Sequence, residues 1–354
     1  MQMVYILTLN RVKQKLFKCE GLKGFLSILI LSTCLVFWSF QDSKQVHFSF
    51  NGRAQGTTYL ISYYHDNEKV TQNQIDSVLQ VIDHSMSLYR SNSLISTINE
   101  STQGGELDFH FQQVLKRAFQ INKETDGIFD VTVAPLVAVW GFSADKITKL
   151  PDSNQIAQIL PFVGMENIQL TGSYLKKLKP EVKIDLNGIA QGYTVDVIAN
   201  FLLANGIKNF LVELGGELRV EGNKPNGEDF KIGIEGPVNS NEVTIKHVAI
   251  IKGKALTTSG SYRNYIEYGA EKLPHIINPK TGYPVHSEIL SVTVLAKDAI
   301  SADGYDNALL SMGIKDAFSF LDQHTDLEAY FVYKNEQGSI VDTMTNGFKA
   351  ILKN

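Results

Sequence analysis

Hydrophobic positions along the chain follow two different periods, which predict strands and helices in turn. Residues 46–50 and 57–64 carry β-branched and aromatic side chains at alternate positions, which is typical of strands. A hairpin turn through Asn51-Gly52 is expected to join them. Over residues 72–89 and again over 111–119 the apolar positions recur every three or four residues. Both of these segments are therefore predicted to be amphipathic helices.

The second half of the chain predicts a mixture of strands and helices. A helix is expected over residues 191–204, closed by Asn205-Gly206. Strands are predicted at 210–214, 218–221, 230–235, 246–252, 290–296 and 329–334, and helices at 302–312 and 315–321. Runs of adjacent strands interrupted by helices indicate an α+β fold rather than a doubly wound sheet. No position divides this part clearly, so residues 45–354 are predicted to form one domain.

The first 44 residues predict a membrane-targeting segment. Five Lys or Arg residues precede an uncharged run from Gly24 to Phe40. At ~1.5 Å per residue a helix of this run is a little shorter than the ~30 Å hydrocarbon core, so a signal-peptide core and a short anchor both fit. The preceding positive charges predict that residues 41–354 lie on the non-cytoplasmic side. Leu31-Ser32-Thr33-Cys34 resembles a lipoprotein processing site, which leaves a lipidated Cys34, an uncleaved anchor and a buried core helix as alternatives.

Charge and cysteine content narrow the function classes. Residues 1–44 hold six of the 33 Lys and Arg and two of the 37 Asp and Glu, which leaves 27 basic and 35 acidic side chains, a formal net charge of −8, in the remainder. That balance gives no general attraction for nucleic acid, so a nucleic-acid role is not expected. Cys19 and Cys34 are the only cysteines, and a disulfide, a zinc-thiolate site or a cysteine nucleophile is therefore excluded beyond residue 34.

Polar stretches punctuated by glycine are the candidates for chemistry. Residues 125–142 can offer aromatic and backbone groups to a flat ligand, or can form a turn that enters the core. Residues 183–193 read as a strand and a glycine-containing turn that opens a helix, and such a turn can present backbone N–H groups to phosphate. Leu214-Gly215-Gly216-Glu217 fits a second loop that approaches a ligand closely, or an ordinary hairpin turn.

Two further stretches carry titratable side chains. Residues 256–263 combine hydroxyl groups with Gly260 and Arg263, which suits phosphate, and His275 follows among apolar neighbours. If residues 301–309 begin a helix, Asp303, Asp306 and Asn307 share one face, because positions i, i+3 and i+4 are neighbours. Three oxygen-bearing side chains on one face suit a hard cation such as Mg²⁺, whereas helix capping by Asp303 is the alternative.

Taken in order, these stretches resemble the ApbE family of FAD:protein FMN transferases. The resemblance begins at Gln55-Gly56-Thr57-Thr58-Tyr59, continues through residues 87–93 and the stretches above, and ends at Gly347-Phe348. It covers roughly residues 50–350. It implies one ApbE-like domain of mixed, mostly antiparallel sheets with flanking helices, preceded by an N-terminal membrane-targeting helix.

The resemblance also implies the site residues. FAD would be bound by Gln55, Tyr89, Ile128, Phe129, Asp130, Asp185, Gln191 and Ile277, the last on a strand expected over residues 275–277. Mg²⁺ would be held by Asp303, Asp306, Asn307 and a backbone carbonyl near Gly188. Gln55, Gln191 and Asn307 stand where members commonly have Met, Lys or Glu, and Thr, respectively. His275 is the first candidate for a catalytic base and a metal-bound carboxylate such as Asp303 the second.

The implied reaction is Mg²⁺-dependent cleavage of the FAD pyrophosphate, with transfer of FMN to a Thr or Ser hydroxyl of an acceptor flavoprotein and release of AMP. The acceptor is expected to be a subunit of a membrane electron-transport complex. The expected location is the bacterial inner membrane, with the catalytic domain facing the periplasm. An FAD pyrophosphatase, a non-catalytic flavin-binding lipoprotein and an assembly factor with a vestigial flavin site are the alternatives.

Overall fold

An eight-stranded antiparallel sheet forms the centre of the fold. The computed structural model describes residues 45–143, 149–236, 245–260, 265–268 and 271–353. The strands are β1 Val46–Ala54, β2 Thr57–His65, β3 Gly104–Glu106, β4 Ile168–Thr171, β5 Tyr174–Lys177, β6 Phe210–Leu214, β7 Glu217–Glu221, β8 Lys231–Glu235, β9 Ile245–Ile250, β10 Lys254–Gly260, β11 Tyr265–Tyr268, β12 Glu271–Pro274, β13 Ile289–Ala296, β14 Glu328–Lys334 and β15 Ile340–Met344. The large sheet has the order β1-β2-β6-β7-β10-β13-β14-β15.

The helices lie around this sheet, and three small sheets accompany it. The helices are α1 Gln72–Met86, α2 Leu94–Glu100, α3 Phe109–Glu124, α4 Ala134–Val139, α5 Ser153–Ile159, α6 Ala190–Ala204, α7 Ala299–Met312, α8 Ile314–Gln323 and α9 Asn346–Ala350, with 3₁₀ turns at Leu160–Phe162 and Met165–Asn167. The small sheets are β3-β5-β4, β8-β9 and β11-β12. This arrangement confirms the α+β class with antiparallel sheets.

The hairpin between β1 and β2 turns at Gln55-Gly56, so the prediction of a turn at Asn51-Gly52 is wrong. Asn51 and Gly52 continue the ladder, opposite Leu60 and Tyr59. Gln55 has φ 50° and Gly56 φ 79°, and two positive φ angles are the geometry of a tight type I′ turn. A Cβ atom at Gly52 would lie 2.7 Å from the Tyr59 ring, so this glycine makes room for a cross-strand ring instead of forming a turn.

The two faces of the large sheet pack against different partners. On β7, Leu218 and Val220 join an apolar cluster that includes Ile234 of β8 and Ala249 of β9. Arg219, between them, points to the other face and forms an ion pair with Asp196 of α6. Side chains alternate between faces along a strand, so α6 and α7 cover the face opposite to β8 and β9.

Helix α7 begins three residues earlier than predicted, because Asp298 caps it by accepting a hydrogen bond from the Ser301 N–H (3.1 Å). Asp303 therefore lies in the second turn, and the alternative in which Asp303 caps the helix is wrong. A second local prediction also fails: β12 ends at Pro274, and Ile277 makes only an isolated bridge with Pro284 instead of the strand expected over residues 275–277.

Val46–Asn354 clusters as one compact unit. Within the described ranges, no helix has both the length and the apolar character needed to cross a membrane. The predicted targeting segment, with Cys19 and Cys34, lies outside these ranges, and so does Arg263.

Candidate active site

A partly open cavity of about 800 Å³ brings together the thirteen residues to which the resemblance assigns a role in the site. Its volume is in the range of small-molecule and cofactor sites. The thirteen predicted residues that line it are Gln55, Tyr89, Ile128, Phe129, Asp130, Asp185, Gly188, Gln191, His275, Ile277, Asp303, Asp306 and Asn307. They come from separate segments of the chain, so the fold and not local sequence makes the site.

The acidic end of the cavity is built where α6 and α7 approach each other closely. The Gly192 N–H, one of the free donors at the start of α6, donates to Asp303 Oδ2 at 2.8 Å. A Cβ atom at Gly192 would lie 2.6 Å from the Cβ of Asp303, so only glycine allows this approach. Asp196, one turn further along α6, accepts from the Ile300 N–H at 2.9 Å and fixes the start of α7. These contacts hold Asp303 and Asp306 at one place in the cavity wall.

Both carboxyl groups of α7 are almost completely buried. Asp303 and Asp306 are 4% and 1% exposed. Burial raises the pKa of Asp303 to about 7, and burial together with the Asp303 charge raises the pKa of Asp306 well above its usual range. Asp306 Oδ1 has no hydrogen-bond partner in the part of the chain that the structure describes. Two buried carboxyl groups of this kind need a proton or a cation to be stable.

The two other predicted metal ligands, the Asn307 side chain and the Gly188 carbonyl, offer neutral oxygens. The Asn307 amide lies 3.5 Å from the Gly188 carbonyl oxygen, which places both predicted ligands side by side. Across the described residues, no group of three or more His, Cys, Asp or Glu side chains is arranged to hold a metal ion. The predicted set contains only two carboxylates, however, completed by an amide and a carbonyl oxygen. Such hard oxygen donors fit Mg²⁺, which binds few protein ligands and keeps several water molecules.

The stretch around Phe129 is held in shape by Asp130. Asp130 Oδ1 accepts from the Thr132 N–H (2.7 Å), and Oδ2 accepts from the Met165 N–H (3.1 Å). Both oxygens are engaged within the fold, so this side chain positions Ile128 and Phe129 along the cavity wall. Asp185 is tied to the same stretch, because its backbone N–H donates to the Val131 carbonyl at 2.8 Å.

Gln55 and Gln191, which both line the cavity, are joined by hydrogen bonds. The Gln191 side-chain amide donates to the Gln55 carbonyl at 3.3 Å, and the Gln55 amide donates to Thr194 Oγ1 at 3.1 Å. The tight turn of the β1–β2 hairpin therefore rests on the first turn of α6. This contact places two neutral amides where the resemblance implies FAD.

The outer rim contains aromatic rings and a histidine. Tyr89 is 73% exposed at the mouth of the cavity, and His275 is half-buried in the bend after β12. The Trp140 indole N–H donates to the Gly282 carbonyl at 2.7 Å and joins the 125–142 and 275–284 stretches. The cavity is also lined by polar groups that suit phosphates.

Sequence reasoning assigned no role to Glu217, which also lines the cavity and is 7% exposed. The Gly215-Gly216 turn, with φ angles of 70° and 116°, is an ordinary hairpin between β6 and β7 and also lies at the cavity. The hairpin-turn interpretation of this stretch is therefore confirmed, while close approach to a ligand stays a prediction. An acidic residue directly after two glycines was the signal that could have indicated Glu217.

Comparisons with known proteins agree with these motifs. A profile of the ApbE family matches residues 55–331. An FAD:protein FMN transferase from Haemophilus influenzae is 33% identical over 316 residues, covering 86% of this chain and 91% of that protein. One from Vibrio cholerae is 36% identical over 294 residues, covering 81% and 86%.

Solved structures give the same result. The flavin transferase ApbE from Vibrio cholerae superposes with a TM-score of 0.79 at 30% identity and covers 87% of this chain and 100% of that one. The apo form of the Pseudomonas stutzeri flavinyl transferase ApbE gives a TM-score of 0.78 at 29% identity, covering 87% and 97%.

Proposed function

The chain belongs to the ApbE family and is a flavin transferase, and we propose that FAD is cleaved in this cavity and its FMN part transferred to an acceptor protein. The activity is that of an FAD:protein FMN transferase, with FAD as the substrate and a flavoprotein as the acceptor. One observation carries the assignment to this cavity: all thirteen residues implied by the motifs converge on it from separate segments.

Mg²⁺ is the proposed resident cation. Asp303, Asp306, Asn307 and the Gly188 carbonyl would hold it, which is supported by the unpartnered Asp306 Oδ1 and the all-oxygen donor set. When bound, it would neutralise charge that develops on the FAD pyrophosphate.

In the proposed reaction, the hydroxyl oxygen of a Thr or Ser in the acceptor bonds to the FMN phosphorus. The bond between that phosphorus and the bridging oxygen breaks, and AMP leaves with that oxygen. A hydroxyl is a weak nucleophile at neutral pH, so its proton must pass to a base. His275 is the proposed base because it lines the cavity, and histidine is the side chain that most often serves as a general base.

The proposed location is the periplasmic face of the bacterial inner membrane, with attachment through residues 1–44. The support is the charged and then apolar pattern of that segment. The acceptor would then be a subunit of a membrane electron-transport complex on the same side. Replacing Cys34 with Ala tests the type of anchor: release from the membrane supports lipidation, and retention supports a helical anchor.

The reaction is tested with the full-length chain in detergent, incubated with FAD, Mg²⁺ and candidate acceptor subunits. The expected result is AMP in the supernatant together with flavin fluorescence on a denatured acceptor band. AMP release without fluorescent acceptor would favour the FAD pyrophosphatase alternative. Retained FAD without AMP release would favour a flavin-binding protein without catalysis. Asp303→Asn is the control that should abolish both signals.

A further inference from the structure

We propose that Glu217 is a third carboxylate of the cation site, which strengthens cation binding through a water molecule of the ion. This inference rests on the proposed function and deepens it, because it adds a residue that neither the motifs nor the comparisons assign. It concerns the affinity and selectivity of the cavity for a hard divalent cation.

The direction of the Glu217 side chain follows from its strand. Glu217 is the first residue of β7, and Arg219, two residues on, forms its 2.9 Å ion pair with Asp196 of α6. Residues i and i+2 of a strand point to the same face. Glu217 therefore points to the face covered by α6 and α7, at the end of β7 that borders the cavity. Asp303 and Asp306 project from α7 on that same side.

The Glu217 carboxyl group is buried with one oxygen unpaired. The side chain is 7% exposed, and no described residue forms a hydrogen bond with Oε2. Asp306 Oδ1 is in the same condition. An unpaired buried carboxylate is costly. A cation bound among the carboxyl groups of Asp303, Asp306 and Glu217 would compensate their charge and give the two unpaired oxygens a partner.

The turn before Glu217 leaves room for this carboxyl group. A Cβ atom at Gly215 would lie 3.0 Å from Glu217 Oε2 and 3.4 Å from the Gln191 amide nitrogen. A larger residue would therefore press on the free oxygen and on a predicted FAD contact. The positive φ of 70° also favours glycine at this position. The sequence Gly-Gly-Glu thus supplies both the turn and the space into which the carboxylate projects.

A water-mediated role agrees with the arrangement of the three carboxylates. Within the described part of the chain, no three acidic or His side chains converge closely enough to be joint direct ligands. Mg²⁺ usually keeps several bound water molecules. A carboxylate that does not contact the ion directly can accept hydrogen bonds from these water molecules. Removing such an outer partner typically weakens metal binding about 10–100-fold.

The test is Mg²⁺ binding by the metal-stripped full-length chain, measured by calorimetry and independently by Mn²⁺ electron paramagnetic resonance. Glu217→Gln keeps the shape of the side chain and removes its charge, and we expect it to weaken Mg²⁺ binding about 10–100-fold. Glu217→Asp, which keeps the charge, should recover part of the affinity. The melting temperature of metal-free Glu217→Gln should be no lower than that of the wild type, because a buried unpaired charge is removed.

Glu213→Gln is the matched control on the same hairpin. Glu213 accepts a hydrogen bond from the Gly216 N–H at 3.0 Å and does not line the cavity, so its variant should bind Mg²⁺ within twofold of the wild type. The inference is overturned if Glu217→Gln also binds within twofold, or if both variants weaken equally. A wild-type chain without measurable Mg²⁺ binding would overturn the cation assignment of the proposed function as well, so the two failures are distinguishable.

Discussion

Gly192→Ala tests whether the close approach of α6 and α7 builds the acidic end of the cavity. In an ordinary helix this change is stabilising by about 1 kcal/mol, because alanine has the higher helix propensity. Here the new methyl group would lie 2.6 Å from the Asp303 Cβ and still closer to the Ala299 carbonyl oxygen. Carbon atoms prefer separations of about 3.5–4.0 Å, so the helices must move apart by roughly 1 Å.

That movement has a cost that can be estimated from two contacts. Lengthening the 2.8 Å hydrogen bond from Gly192 to Asp303 by this amount breaks it, and a hydrogen bond to a charged group contributes about 1.5–3 kcal/mol. Overpacking adds about 1–3 kcal/mol. After the gain in helix propensity, the net destabilisation is about 1.5–5 kcal/mol, which corresponds to a melting temperature lower by roughly 2–8 °C for a unit of this size.

The assay combines thermal unfolding with Mg²⁺ titration of the full-length chain. Gly192→Ala should lower both the melting temperature and the Mg²⁺ affinity, because Asp303 is displaced. Gly304→Ala is the control on α7, where the added methyl group would meet the terminal atom of the Ile121 side chain instead of backbone. That control should leave Mg²⁺ affinity within about twofold. Wild-type stability and affinity in Gly192→Ala would refute the role assigned to the helix contact.

Three further predictions concern single side chains. Asp306→Asn should reduce FMN transfer about 100-fold or more while FAD affinity, followed by flavin fluorescence, changes less than tenfold; undiminished transfer at saturating Mg²⁺ would contradict the ligand role. His275→Asn should reduce transfer about 10²–10⁴-fold with FAD binding intact, and an unchanged pH–rate profile would exclude His275 as the base. Burial lowers the pKa of Lys177 from 10.5 to about 8. Between pH 8 and pH 10.5 the unfolded chain therefore binds more protons than the folded chain, and the stability of the wild type should rise with pH. The rise is at most about 1.4 kcal/mol per pH unit. Urea unfolding of Lys177→Met at pH 8 and pH 10 should lose that rise, and parallel pH dependence of the two proteins would show that Lys177 is not its source.

Sequence periodicity predicted the long elements well because burial determines them. Residues 191–204 and 329–334 differ from the observed α6 and β14 by one residue at one end only. The start of α7 was missed because Asp298 lies four residues before the predicted start at Ala302, and a single polar residue there cannot be recognised as a cap from the sequence. The β1–β2 turn was misplaced because Asn51-Gly52 has the stronger turn composition, while packing of Tyr59 over Gly52 decides the register.

The site residues could be named from the sequence because they fall in motifs, but their contacts could not. Asp130 was predicted to bind FAD, and the structure engages both of its oxygens with backbone groups of the 132 and 165 regions. Glu217 was not assigned because its partner residues on α7 are almost 90 positions away in sequence. The contact of Asp130 with Met165 and the position of Glu217 near α7 have no local periodic signal, since both depend on how distant segments meet at one cavity.

The mass of an acceptor protein before and after incubation tests the central claim most directly. The full-length chain, FAD and Mg²⁺ are mixed with flavoprotein subunits of membrane electron-transport complexes, and each denatured subunit is measured by intact-protein mass spectrometry. The account predicts that an acceptor gains one FMN group, less one water, on a Thr or Ser, in step with AMP release. AMP released with no mass gain on any subunit would contradict it.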